Sequence, residues 1–204
     1  MKKLLALLLS LCMILALAAC GSSGDSSTSD DTDQSNDASG DTVKIGCILA
    51  LSGGSAYIGE LEREGVQYCV DYYNAKGGVN GKQIEVIFAD STGTPDVAVT
   101  ELERLITQEG IIAVTGPFNS SVAVAMAPIC EKYSVPFVIL GAATIEVLEQ
   151  GYQYTFRPGN TADTNTQALI GICDTIEAKY GDKITDVAIL YANGEWGVSQ
   201  SESF

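Results

Sequence analysis

The residues with the most chemistry to offer lie in one short run, Gly116-Pro117-Phe118-Asn119-Ser120-Ser121. It follows an apolar, strand-like stretch at 111–115 and precedes a helix-like stretch that reaches Ile129. Asn and Ser are favoured at helix starts because their side-chain oxygens accept the first free backbone N–H groups. A helix start also carries partial positive charge and unpaired N–H donors, so it attracts anions. A glycine turn, two serine hydroxyls and a helix start together make a cradle for a small carboxylate or phosphate. Asn119, Ser120 and Ser121 are its candidate side chains. The same residues could equally be a plain cap and an ordinary first turn, and the run alone leaves both readings open.

Most catalytic chemistry is missing. There is no histidine, which excludes His-based triads and His metal sites. No cysteine pair has metal-ligand spacing. Cys47, Cys69, Cys130 and Cys173 fall on apolar faces of predicted strands and helices and read as small core filler. The even count of six cysteines would permit disulfides in an exported protein. Gly53, Gly54 and Gly59 do not fit G-x-G-x-x-G, and no G-x-x-x-x-G-K-[ST] occurs, so dinucleotide and triphosphate binding find little support. Glu60, Glu62 and Glu64 read as the solvated face of a helix rather than as a carboxylate pair. The expectation is a binding protein without metal or cofactor, not an enzyme.

The cradle needs a frame. Residues 43–51 read as a strand buried on both faces, as in a parallel sheet. A Gly-rich loop at 52–59 follows, and then Leu61, Gly65, Cys69 and Tyr72 recur at helical spacing beside Val66 and Tyr73. Gly77-Gly78 ends that helix and Asn80-Gly81 marks a turn. A second strand is predicted at 83–89. Thr94-Pro95-Asp96 opens a helix with a cap, a first-position Pro and an acid in the first turn. Ala98, Leu102, Leu105 and Ile106 form its buried face, and Gly110 stops it. In the helix after the cradle, Val122, Met126, Ile129, Cys130 and Tyr133 share one face, and Pro128 predicts a bend. Further strands are predicted at 135–140, 152–157 and 187–191. A helical stripe of Leu169, Ile172, Cys173, Ile176 and Tyr180 precedes the last of them, and 193–204 trails off. This alternation predicts an α/β fold with a doubly wound parallel sheet and right-handed crossovers. Ligands in such sheets sit beyond the carboxyl ends of the strands. Those ends carry Ser52-Gly53-Gly54, Asp90-Ser91, 116–121, 141–144 and 192–196, all rich in hydroxyls and small residues and poor in positive charge.

The amino-terminal residues read differently. Lys2-Lys3 followed by an apolar run at 4–18 matches a secretory signal, and the run is short for a membrane span. Leu17-Ala18-Ala19-Cys20 resembles the bacterial lipobox, which implies cleavage after residue 19 and a lipidated Cys20. Residues 21–42 contain no apolar side chain larger than Ala38 and read as a flexible tether. The six aspartates at 25, 30, 31, 33, 37 and 41 supply much of the net charge of −15. That acidity argues against nucleic acid, which needs clustered Lys and Arg, and against adhesion to an anionic membrane by charge.

Taken together, Val43-Lys44-Ile45-Gly46, Leu51-Ser52-Gly53 and the run from Tyr72-Tyr73-Asn74 through Gly77-Gly78-Val79-Asn80-Gly81-Lys82 resemble the leucine/isoleucine/valine-binding protein family. The resemblance continues through Asp90, Pro95, 116–121, Val135-Pro136, Ala142-Ala143-Thr144 and Phe156-Arg157-Pro158, to about Trp196. It implies a type I periplasmic-binding-protein fold, with two lobes that close over an amino acid and deliver it to an ABC permease. On that reading 1–19 is a signal peptide, 20–42 a lipidated Cys and tether, 43–157 the first lobe, and 158–204 the start of an incomplete second lobe. Ser120 matches the family's carboxylate-holding serine. Ala142 and Thr144 match residues that meet the ligand's carboxylate and ammonium. Trp196 matches an aromatic of the second lobe, and Ser52 and Tyr57 line the expected cleft. The departures are a bridge found in some members, whose positions here are Gly93 and Asn119, and Ile58, where some members carry Tyr. The resemblance also places the return segments of the first lobe, and the acid that meets the ligand's ammonium, beyond Phe204, so apolar surface should be exposed. It implies a monomer anchored by lipid to the outer face of the cytoplasmic membrane. A sensing lobe of the same fold, or a fragment without function, are the alternatives.

Overall fold

The computed structural model describes residues 42–204 with the exception of Asp182, so the expectations for the signal, Cys20 and the tether up to Asp41 lie outside the described residues. Five strands form one parallel sheet: β1 (Val43–Leu49), β2 (Ile84–Asp90), β3 (Ala113–Gly116), β4 (Phe137–Ile139) and β5 (Thr155–Phe156), in the order β2-β1-β3-β4-β5. Six helices accompany them: α1 (Ala56–Ala75), α2 (Pro95–Arg104), α3 (Ser120–Tyr133), α4 (Glu146–Glu149), α5 (Ala162–Tyr180) and α6 (Glu195–Glu202). The α/β parallel sheet expected from the alternation is therefore present.

The junctions follow local chemistry. At the end of α1, Asn74 forms a two-way clamp on β2: its Nδ2 donates to the Ile84 carbonyl and its Oδ1 accepts the Ile84 N–H, both at 2.8 Å. This fixes β2 in register with β1, Val43 against Ile84 and Leu49 against Asp90. The helix α2 starts at Pro95 behind an extended Thr94 and carries Asp96 in its first turn. It runs on through a π-turn at Leu105–Glu109, which Gly110 ends in the left-handed conformation.

The two faces of the sheet are treated differently. Strand residues alternate between them. Ile48, Val114, Phe137 and Ile139 point to one face, where they pack with Leu102 of α2, Leu105 of the π-turn, and Val122 and Met126 of α3, all at most 1 % exposed. The other face carries Ile45, Val86, Ala113, Thr115 and Val138. Among the described residues α1 lies over part of it, and an open groove of about 680 Å³ runs between.

That difference accounts for several departures from expectation. The stripe of Leu61, Cys69, Tyr72 and Tyr73 on α1 is exposed, as are Leu169, Ile172, Ile176 and Tyr180 on α5. Apolar spacing signals a face that wants a partner, and no described element lies over these two. Cys69 is consequently exposed and Cys173 half-buried, while Cys47 and Cys130 are buried as expected, and all four are unpaired thiols. Glu62 is not on the solvated face. It turns to the groove, where burial raises its carboxyl from 4.5 to about 7. The strand expected at 187–191 is absent, and Val187 and Leu190 are exposed there. A strand needs a neighbour for its backbone N–H and C=O groups, and no described strand stands beside this one. Conversely, 195–202 is helical rather than a loose end.

Candidate ligand-binding site

The site is built where β3 gives way to α3. Gly116 ends the strand at φ +110°, and a Cβ there would come within 2.1 Å of the Ile48 carbonyl oxygen, so only glycine fits between β1 and β3. The Pro117 carbonyl then accepts the N–H groups of Gly141, at 3.2 Å, and Ala142, at 3.0 Å. These bonds tie the turn before α3 to the loop after β4. Arg157 fastens that loop from behind, donating to the carbonyls of Ile139 at 3.2 Å, Leu140, and Asn160 at 2.7 Å. Its burial lowers the guanidinium pKa below the usual value. On the other side, the carboxylate of Asp90 accepts the N–H groups of Leu51, Ser52 and Thr92 at 2.7–3.2 Å. Desolvation pushes this carboxyl up, but its bonds with Ser52, Thr92 and Leu51 outweigh that and hold it below its ordinary value. The loops at the ends of β1, β2, β3 and β4 are thus fixed by backbone bonds and by the side chains of Asp90 and Arg157 before any ligand is considered.

A cavity of about 440 Å³ opens at this point, lined by Phe118, Asn119, Ser120, Ser121 and Gly141 on one side and by Ala192, Gly194, Glu195, Trp196 and Gly197 on the other. The fold therefore brings Asn119, Ser120, Ser121 and Trp196 together. Ser120 is 5 % exposed, and its Oγ has no hydrogen-bond partner. A buried hydroxyl left unpaired is costly, roughly 1–3 kcal/mol, unless something else occupies it. Ser121 is exposed beside it. Asn119 stands at the cap position with extended backbone, but its side chain does not cap the helix. Instead Nδ2 donates to Ser55 Oγ at 3.2 Å, while Oδ1 is buried without a partner. The first N–H groups of α3 are left free of side-chain capping by this swing. Gly93 is adjacent: a Cβ there would lie 3.6 Å from Asn119 Oδ1.

The other expected residues do not line this cavity. Ala142 and Thr144 are buried just behind it, each 1 % exposed. Thr144 is connected to it through Glu195, whose Oε1 accepts from Thr144 Oγ1 at 3.2 Å. Ser52 and Tyr57 are exposed, and Ser55 is the residue of that loop which reaches the site, through Asn119. Six lining residues, Phe118, Gly141, Ala192, Gly194, Glu195 and Gly197, were not among the expected site residues. Phe118 and Gly141 belong to loops that were identified, but nothing in their type says which way they face. Glu195 is the neighbour of Trp196, and its acidity in a loop otherwise poor in charge is the signal that could have marked it. Among the described residues, no group of three or more His, Cys, Asp or Glu is placed to hold a metal ion.

Comparison with known proteins gives this geometry a context. The family described as "Periplasmic binding protein" matches residues 42–204. The chain belongs to the periplasmic binding protein family. A Leu/Ile/Val-binding protein homolog 7 from Brucella suis is 31 % identical over 160 residues, which is 77 % of this chain and 40 % of that protein. Among solved structures, the branched-chain amino acid transporter substrate-binding protein LivJ from Streptococcus pneumoniae, in complex with isoleucine, is 31 % identical. It aligns with a TM-score of 0.62 over 68 % of this chain and 39 % of its own. A solute-binding protein of an ABC transporter from R. palustris, in complex with 4-hydroxybenzoate, is 27 % identical with a TM-score of 0.67 over 80 % of this chain and 42 % of its own. The periplasmic-binding-protein chain thus spans about two fifths of the length of the relatives it matches. Its family is one of extracytoplasmic solute-binding proteins, not of enzymes. No helix among the described residues is long and apolar enough to cross a membrane.

Proposed function

We propose that this chain carries the carboxylate-gripping lobe of an extracytoplasmic solute receptor that binds an amino acid and passes it to an ABC permease. The observation that carries this reading is Ser120: a buried, unpartnered hydroxyl at the uncapped start of a 14-residue helix, opening on a cavity. A carboxylate seated there would accept the Ser120 O–H and the free N–H groups of α3, with the helix dipole in its favour. Thr144 and Ala142 support the cavity from behind, and Trp196 forms part of its far wall. Ser52 and Tyr57 would act only if the first loop folds inward as the lobes close. The proposal includes residues 1–19 as a signal peptide and Cys20 as the lipid attachment site, with 20–42 as tether. Residues 43–157 would form the first lobe and 158–204 the start of the second.

A second reading is favoured by a specific observation. Phe118 and Trp196 present half-exposed rings to the same cavity, 43 % and 53 % exposed, which would suit an aromatic acid. Both readings use the same carboxylate grip. Calorimetry of the chain with L-leucine, L-isoleucine and 4-hydroxybenzoate tests it. Ser120→Ala is expected to weaken whichever ligand binds by roughly 1–3 kcal/mol, about 5- to 150-fold in Kd. An unchanged Kd in that variant would remove Ser120 from the role.

A further inference from the structure

A second hollow, of about 300 Å³, lies between α4 and α6. The two helices bring like charge to it. Glu146 and Glu149 come from α4, and Glu195, Ser199 and Glu202 follow at i, i+4 and i+7 on one face of α6. No Lys or Arg lines the hollow, and among the described residues none of the four carboxylates is in an ion pair. One carboxylate is held in place. Thr144, 1 % exposed, donates to Glu195 Oε1 at 3.2 Å and accepts the Glu146 N–H at 3.3 Å. Glu146 has its pKa raised, first by its hydrogen bond with Glu195, then by burial, then by the charges of Glu195, Glu149 and Glu202. Two carboxylates in contact need a proton or a cation between them.

Ser199 is the independent observation. It lines the hollow, is 5 % exposed, and its Oγ is buried without a hydrogen-bond partner. A helical serine can return its O–H to a carbonyl of the preceding turn. Ser201 and Ser203 beside it do so, donating to the Val198 and Ser199 carbonyls at 2.9 Å, and Ser199 does not. A buried hydroxyl oxygen is thus left open among carboxylates.

The donors are all oxygen, which suits a hard cation rather than a thiolate- or imidazole-seeking metal. No group of three acidic residues is gathered to hold an ion among the described residues, so the direct donors are two carboxylates and one hydroxyl, with water completing the shell. At about 30 Å³ per water the hollow has room for an ion that keeps several of them. Magnesium demands a near-ideal octahedron, whereas calcium accepts irregular sets of carboxylate, neutral oxygen and water.

We propose that Glu146, Glu195 and Ser199 bind a calcium ion that bridges α4 and α6, with Glu149 and Glu202 adding negative charge around it. The site is distinct from the cavity at the start of α3, since Glu195 alone lines both, and it does not depend on the role of Ser120.

The test titrates CaCl2 and MgCl2 by calorimetry into the chelator-treated full chain at about 0.15 M KCl, which screens diffuse attraction. Calcium should bind with a Kd on the order of 0.1–1 mM and magnesium at least about fivefold more weakly. Trp196, the single tryptophan and the neighbour of Glu195, should report the same Kd by fluorescence. Glu146→Gln should weaken calcium by at least about tenfold, Ser199→Ala by about 3- to 10-fold, and Glu149→Gln by no more than about threefold. Glu146 is exposed, so its variant should keep the circular dichroism of the parent. Absence of calcium binding up to about 10 mM, an order above the weakest expected Kd, overturns the proposal. So does magnesium binding equal to calcium, or calcium affinity unchanged in either Glu146→Gln or Ser199→Ala. A loss in Glu149→Gln as large as in Glu146→Gln would mean diffuse attraction to the acidic surface, and also overturns it.

Discussion

Glu62→Gln isolates a cost that the open face of the sheet imposes. Glu62 faces the apolar groove under α1, its Oε2 is buried without a partner, and burial raises its carboxyl from 4.5 to about 7. In the unfolded chain it titrates at the ordinary value. Between about pH 4.5 and 7 the native state therefore holds more protons than the unfolded state, so this group's contribution to stability is full below pH 4.5, declines as pH rises through 7, and is level beyond. At about 1.4 kcal/mol per pH unit the whole displacement would correspond to roughly 3 kcal/mol. Water reaches part of the carboxyl, and screening reduces this to roughly 1–2 kcal/mol. Gln keeps the shape and does not titrate. Urea unfolding followed by circular dichroism at pH 4.5, 6, 7 and 8 reads the effect as the difference between variant and parent, which cancels the other acids. The variant should gain roughly 1–2 kcal/mol on the parent between pH 4.5 and 8. A difference that stays constant across this range would refute the reasoning, because a pH-independent offset can come only from packing or hydrogen bonding.

Two further outcomes test the packing. Iodoacetamide at pH 8 without denaturant should modify the exposed Cys69 and spare Cys47 and Cys130, read by peptide mapping. Burial pushes both protected thiols to about 12, with the charges of Glu62 and Glu131 adding to it. Comparable rates at all three would mean that the core opens readily. Gly116→Ala should destabilise by more than about 3 kcal/mol or prevent folding, since its Cβ would overlap the Ile48 carbonyl at positive φ. Gly65→Ala on α1, with nothing within 4 Å of the new Cβ, should instead stabilise by roughly 0.5–1 kcal/mol in the same denaturant assay.

Much of the fold was legible because its signals are local. A strand buried on both faces is a continuous apolar run, and Thr94-Pro95-Asp96 spells a helix start residue by residue. Gly116 and Gly110 stop their elements where the backbone turns to positive φ. What could not be read depends on partners. The apolar stripes on α1 and α5 announce that a covering surface is wanted, but not whether one is present, and here both are exposed. Residues 187–191 have strand composition, and among the described residues no strand stands beside them to pair with. The helix α6 was missed because Glu195-Trp196-Gly197-Val198-Ser199 offers no clear apolar period. Glu62 was misplaced because three glutamates at alternate positions look solvated until the helix phase is known.

The candidate site divides along the same line. Ser120 could be named from sequence because the helix start that makes it useful lies in the same six residues. The side chain of Asn119 could not be placed, since its choice between capping α3 and reaching Ser55 is decided by a loop 64 residues away. Glu195 is a second such case: it enters the cavity because α6 packs close to α3, and Thr144 donates to its carboxylate across 51 residues of sequence. The carboxylate grip proposed for Ser120 is thus encoded locally, whereas Glu195 and Trp196, which face it across the cavity, are brought there by tertiary packing.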